Sequence, residues 1–162
     1  MSFTSMREYF YKISTVLYAF MLVPLVLFGY VYIAMRSGDL NPVLLDQRPI
    51  ILPLFIFVSF VDWMVAILLF RRGLKEVRSM KMLSDKLGRY GRLTYLRFGM
   101  ISSGSLLLGV GFLLTGDNIF AGVFAASLVL LSLLWPLPPK VCKDLRLKGD
   151  ERKLVLHRLD SL

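Results

Sequence analysis

One cysteine, one histidine and eleven acidic residues in 162 leave this chain little with which to build chemistry. A lone Cys142 can form no disulfide within the chain and no Cys-x-x-Cys pair, so thiol exchange and soft-metal relay are excluded. His157 has no second histidine or carboxylate at ligand spacing and reads as a surface residue. Phosphate-cradling loops are missing as well, because Gly104, Gly109 and Gly111 lie inside an apolar run rather than between a strand and a helix. Enzymes need clustered sets of such groups. The expectation is a non-catalytic protein with no cofactor and no metal site.

Hydrophobic residues, by contrast, make up 56% of the chain, with a mean hydropathy of +0.65, alongside 20 Lys and Arg. A soluble domain would be roughly 45–50% apolar, with its apolar residues spread at helical or strand period. Here they fall into four blocks, at about 13–35, 50–70, 98–115 and 119–137, and the charges occupy the gaps. Crossing a hydrocarbon core of about 30 Å takes about 20 residues of helix. The blocks meet that length, except the third, which Leu93, Tyr95 and Leu96 extend while Arg97 snorkels to the headgroups. Runs of this length are too long for single barrel strands, and lipid offers unpaired backbone no partner. The predicted fold is therefore an all-α integral membrane protein, a single domain of four transmembrane helices arranged as two antiparallel hairpins. The first block follows Arg7 and Lys12, as a signal peptide would, but its apolar stretch is too long and no small-x-small cleavage site follows, so it is read as a retained span.

Eighteen of the twenty basic residues lie before the first block, between the second and third, or after the fourth. Only Arg36 and Arg48 fall in the other two connections, where Asp39, Asp46 and Asp117 offset them. The positive-inside bias places both termini, the connection 71–97 and the tail 138–162 in the cytoplasm. The membrane is expected to be a plasma membrane or a bacterial inner membrane. Pro24 predicts a kink in the first helix, Pro49 and Pro53 mark the start of the second, and Trp135 with Pro136, Pro138 and Pro139 mark the end of the fourth. The turns Ser37-Gly38-Asp39 and Thr115-Gly116-Asp117 match, but the sequence around them does not support a repeat.

Three features remain as candidates for function. Ser102, Ser105, Gly109 and Gly116 share one side of the third helix, and the fourth offers Gly122-x-x-x-Ala126 with Ser127 and Ser132. Small residues let membrane helices approach closely, so this face either closes the second hairpin or binds another helix. Asp62 is the one ionisable residue deep in a span. Its insertion costs about 2.5–3.5 kcal/mol, which fifteen Leu, Ile, Phe and Val residues in the same block outweigh at roughly 0.3–0.6 each. It lies about 12 Å in from Phe70, with no Lys or Arg at that depth, so its expected partners are Ser59, Ser102, Ser105 and Ser132. That set reads either as a structural hydrogen bond or as a proton or cation site.

The third feature is the connection itself, with Arg71, Arg72, Lys75, Arg78, Lys81, Lys86, Arg89, Arg92 and Arg97. Leu74, Val77, Leu83, Leu87, Tyr90 and Leu93 recur there at helical spacing, which predicts a basic amphipathic helix, broken or bent near Gly88 and Gly91. Such a helix contacts anionic headgroups or an acidic partner, and nucleic acid is not expected. In the tail, Gly149 breaks the chain before a final helix whose apolar side is Leu154, Val155, Leu159 and Leu162. Two functional readings follow: an accessory or scaffold subunit that associates with other membrane proteins or with itself, and an oligomeric proton- or cation-linked transporter or channel centred on Asp62.

Overall fold

The computed structural model describes residues 6–157. Arg158, Leu159 and Leu162, and the side chain of His157, lie outside the described residues. Six helices follow one another, with no strand among the described residues: α1 (Met6–Ser37), α2 (Arg48–Ser79), α3 (Leu83–Thr115), α4 (Asn118–Leu133), α5 (Pro138–Leu145) and α6 (Gly149–His157). Three of these are long and apolar enough to cross a membrane, or four if α4 and α5 together form one broken span. That fits an all-α membrane protein.

The helices start and stop where local chemistry tells them to. Gly38 takes φ +84° just past α1, and Gly116 takes φ +66° just past α3; a left-handed C-cap of this kind favours a residue without Cβ. Pro49 sits in the first turn of α2, where its missing N–H costs nothing. Asp117 caps α4 by accepting from the Ile119 amide at 2.9 Å. Pro24 does not interrupt α1, which runs through it for 32 residues.

Two boundaries differ from the sequence expectation. α2 and α3 are 32 and 33 residues long, so at 1.5 Å per residue each reaches about 48 Å, well past a hydrocarbon core. The 71–97 connection is therefore not a separate helix but the continuation of both, and it breaks at residues 80–82, where Met80 is extended. Gly88 and Gly91 are helical throughout. Glycine costs a helix only about 1 kcal/mol, and Gly91 lets α1 come close: a Cβ there would lie 3.3 Å from the Ile13 side chain. The fourth apolar block also stops early. α4 has 16 residues, and the chain then bends by 75° into α5.

α3 is the hub. It packs most extensively on α2, then on α1 and α4, and half of its most apolar stretch is buried, against 17% for α1 and for α2. α1 and α2 hardly touch one another, so the expected first hairpin is held together chiefly through α3. On α2 the buried face is Ser59, Trp63, Ala66, Phe70, Leu74 and Val77, spaced by three and four. Phe28 of α1 stacks on Phe124 of α4 at 4.1 Å between ring centres and lies 5.4 Å from Phe112 of α3, which ties three helices together. The opposite sides of α1 and α2 expose Leu22, Val26, Ile33, Phe57, Phe60 and Leu68.

Candidate functional site

The polar groups collect at three levels of the bundle. At the middle level, Ser59 and Asp62, one helical turn apart on α2, meet the bare backbone of α3 at Gly104. The Ser59 hydroxyl donates to the Gly104 carbonyl at 3.0 Å. A methyl group on Gly104 would come within 2.7 Å of Trp63 Nε1 and 3.1 Å of Asp62 Oδ2, so it is this glycine that lets the acid and the indole lie against α3.

Asp62 is half-buried, and Ser103 Oγ stands 3.1 Å from its Oδ2. The same hydroxyl donates to the Met100 carbonyl at the shorter distance of 2.7 Å. One hydroxyl carries one proton, so Ser103 donates either to the Met100 carbonyl or to Asp62 at any one moment.

The serines named with Asp62 go elsewhere. Ser105 Oγ lies 2.9 Å from Ser127 Oγ, closing α3 on α4; Ser102 is buried on α3, and Ser132 is exposed on α4. None of the four bonds the carboxylate among the described residues. The sequence does not single out Ser103 from its neighbours Ser102 and Ser105, which carry the small-residue stripe; only the register of α2 on α3 turns Ser103 towards the acid. Trp63 Nε1 is buried there without a hydrogen-bond partner.

The second level is the end shared by the start of α1 and the start of α3, where Tyr9 donates to the Leu87 carbonyl at 2.8 Å. Arg97, expected among the headgroups, is 3% exposed. Its Nη2 donates to the Leu134 carbonyl at 3.0 Å, and its guanidinium lies 3.8 Å from the centre of the Phe70 ring. Lys140 Nζ takes the neighbouring Leu133 carbonyl at 2.6 Å. Two cations thus satisfy the carbonyls that α4 leaves open at its C-terminus, where helix dipoles favour positive charge. This explains why Arg97 turns inward: the interior offers it one carbonyl acceptor and two aromatic faces, although among the described residues its Nε stays buried without a hydrogen-bond partner.

The other basic residues divide in the same way. Lys86 pairs with Glu151 at 3.2 Å, Arg89 with Glu76 at 3.6 Å, and Arg78 Nε donates to the Asp144 carbonyl at 2.7 Å. Arg71, Arg72, Lys75, Lys81 and Arg92 are exposed. Asp144 also accepts from Tyr90 at 3.0 Å, so α5 is held on α2 and α3 by acids and bases that the sequence reading counted only as charge. Burial beside these contacts pushes the Cys142 thiol up from its ordinary pKa.

At the third level, the far end, Arg48 grips Asp117 through Nε at 2.6 Å and Nη2 at 2.5 Å, and Arg36 reaches Asn118 at 3.2 Å. The small residues are also divided. A Cβ on Gly111 would lie 2.5 Å from the Phe120 ring, Gly109 faces Phe28, and Gly116 faces Pro42, so the α3 stripe is used within the chain. Gly122 has nothing within 4 Å, and Ala126 is exposed. No three His, Cys, Asp or Glu side chains cluster at ligand distance among the described residues. No family model, no curated protein and no solved structure matches the chain.

Proposed function

We propose that this chain is a non-catalytic accessory or scaffold subunit of a membrane assembly. It spans the bilayer four times, with both termini and the α2–α3 connection on the cytoplasmic side. One observation carries the reading: the small residues of α3 are consumed inside the bundle, while Gly122 and Ala126 of α4 are left open. α4 packs on the chain from one side only, and its other side presents Gly122, Ala126, Val129 and Leu133 at spacings of four, three and four. In lipid, helix association gains from close backbone approach rather than from a hydrophobic drive, so a helix with an open small-residue face is suited to a second helix. The exposed cations Arg71, Arg72, Lys75, Lys81 and Arg92 suit anionic headgroups beside it.

The test is extraction in a mild detergent, sizing, and site-directed cross-linking from Gly122→Cys and Ala126→Cys. A stoichiometric companion or second copy should cross-link from these positions and be lost in Ala126→Leu. A chain that stays monomeric in every variant sinks the reading.

A second reading, a proton- or cation-linked transporter or channel, is favoured by Asp62 itself, the ionisable group within the α2 span, whose Oδ2 faces the Ser103 hydroxyl of α3 at 3.1 Å. Asp62→Asn in liposomes separates the two. Transport should fail if the carboxyl titrates in function, whereas a scaffold tolerates an amide that makes the same bond to Ser103.

A further inference from the structure

Between α5 and α6 lies a cavity of about 580 Å³ whose rim is Lys143, Arg146, Lys148 and Arg152 and whose floor includes Cys142 and Leu147. Among the described residues no carboxylate lines it. Among the described residues none of the four cations has an ion-pair partner, because the nearby acids are engaged elsewhere: Asp144 by Tyr90 and Glu151 by Lys86. Asp150 lies in the first turn of α6 but not on the rim. Four like charges around one concavity repel one another and concentrate counterions there.

The backbone supports this arrangement. Arg146 holds φ 54°, a left-handed conformation, at the C-cap of α5, where glycine is the default. Its amide and that of Leu147 both return to the Cys142 carbonyl, so the turn is closed by hydrogen bonds and its one non-glycine left-handed residue is an arginine on the rim.

We infer that this cavity is a binding site for a polyvalent anionic lipid headgroup, one with two phosphates or a phosphomonoester. Its location selects lipid over a soluble anion. α4 ends at Leu133, Trp135 and Pro136 follow, and α5 leaves at 75° to α4. If α4 runs along the membrane normal, α5 lies close to the membrane plane, with the cavity at headgroup depth. A volume of this size takes a headgroup rather than a single phosphate. The inference depends on α4 reaching the membrane and not on the accessory-subunit reading.

The experiment is native mass spectrometry of the full chain in mild detergent, titrated with cardiolipin, phosphatidylglycerol, phosphatidylcholine or inorganic pyrophosphate. Cardiolipin should be retained about tenfold more tightly than phosphatidylcholine, with phosphatidylglycerol between them. A variant with Lys143→Gln, Arg146→Gln, Lys148→Gln and Arg152→Gln should lose that preference. A control with Arg71→Gln, Arg72→Gln, Lys75→Gln and Lys81→Gln, which removes the same charge elsewhere, should keep it. Arg146→Gly suits the left-handed turn and so preserves the fold; it should still weaken cardiolipin by roughly threefold. Equal loss in both quadruple variants, no preference among the lipids, or displacement of cardiolipin by pyrophosphate would each overturn the site.

Discussion

Arg97 and Gly104 show how much of this molecule depends on single residues of α3. Arg97 brings a charge into the bundle and finds a carbonyl and two aromatic faces there, Phe70 at 3.8 Å and Phe98 at 5.6 Å. Arg97→Ala should lower unfolding stability in detergent by about 2–3 kcal/mol, through one charge-assisted hydrogen bond and its cation–π contact. Arg97→Lys should recover only part of this, since a point charge does not stack as a planar guanidinium does. Equal stability of wild type and Arg97→Ala in a thermal melt would show that the buried contacts carry no weight. Gly104→Ala should cost about 1–3 kcal/mol, because the methyl meets the rigid Trp63 ring and the Asp62 carboxyl rather than a flexible chain end. The same substitution at Gly122, which faces open space inside α4, should cost nothing and gain up to about 1 kcal/mol in the isolated chain. Neither role was legible in the sequence. A basic residue next to an apolar block reads the same whether it turns to lipid or to the interior, and a glycine reveals its neighbour only once the register of two helices is known.

At the scale of elements, the apolar blocks were legible because a bilayer imposes length and excludes charge, and those demands are written in composition. What composition does not carry is continuity. α2 and α3 run on as helices beyond their apolar parts because Leu74 and Val77 on one and Leu87 and Tyr90 on the other are buried in the same apolar core, with Phe70 edge-on to Tyr90, and that packing outweighs the small helical penalty of Gly88 and Gly91. The docking of α5 was equally invisible, since it rests on Tyr90–Asp144 and Arg78–Asp144, pairs 54 and 66 residues apart. Tyr90→Phe removes one of these and should cost about 1 kcal/mol. The sensitive readout is Cys142, which is buried at 5% exposure with a raised thiol pKa. Maleimide labelling should be slow in the wild type at pH 7, faster as pH rises because more thiolate is present, and faster at every pH in Tyr90→Phe if α5 detaches locally. An unchanged labelling rate would mean that α5 is held by its apolar side alone.

For the molecule as a whole, the charge asymmetry and the packing order bear on the same question from different directions. The basic end joins α3 to the start of α1, to the end of α4 and to α5 through Tyr9–Leu87, Arg97–Leu134 and Tyr90–Asp144. The other end joins the segment leading into α2 to the end of α3 through Leu44–Leu114, and the first residue of α2 to the N-cap of α4 through Arg48–Asp117. A bundle tied at both ends in this way cannot place one connection on the wrong side without breaking a tie, so topology should be all or none. Reporter fusions after Asp39 and after Asp117 should both report the outer face, and a fusion after Met80 the inner face. Because sidedness follows the Lys and Arg count near the spans, replacing Arg71, Arg72 and Lys75 by Gln should leave this pattern intact, as Arg78, Lys81 and Lys86 remain beside the same break. Fusions that disagree between Asp39 and Asp117 would point to a chain crossing three times, with α4 and α5 re-entering rather than spanning. The headgroup position of the α5–α6 cavity would then fail with it, whereas the Asp62–Ser103 contact, held between α2 and α3, would stand.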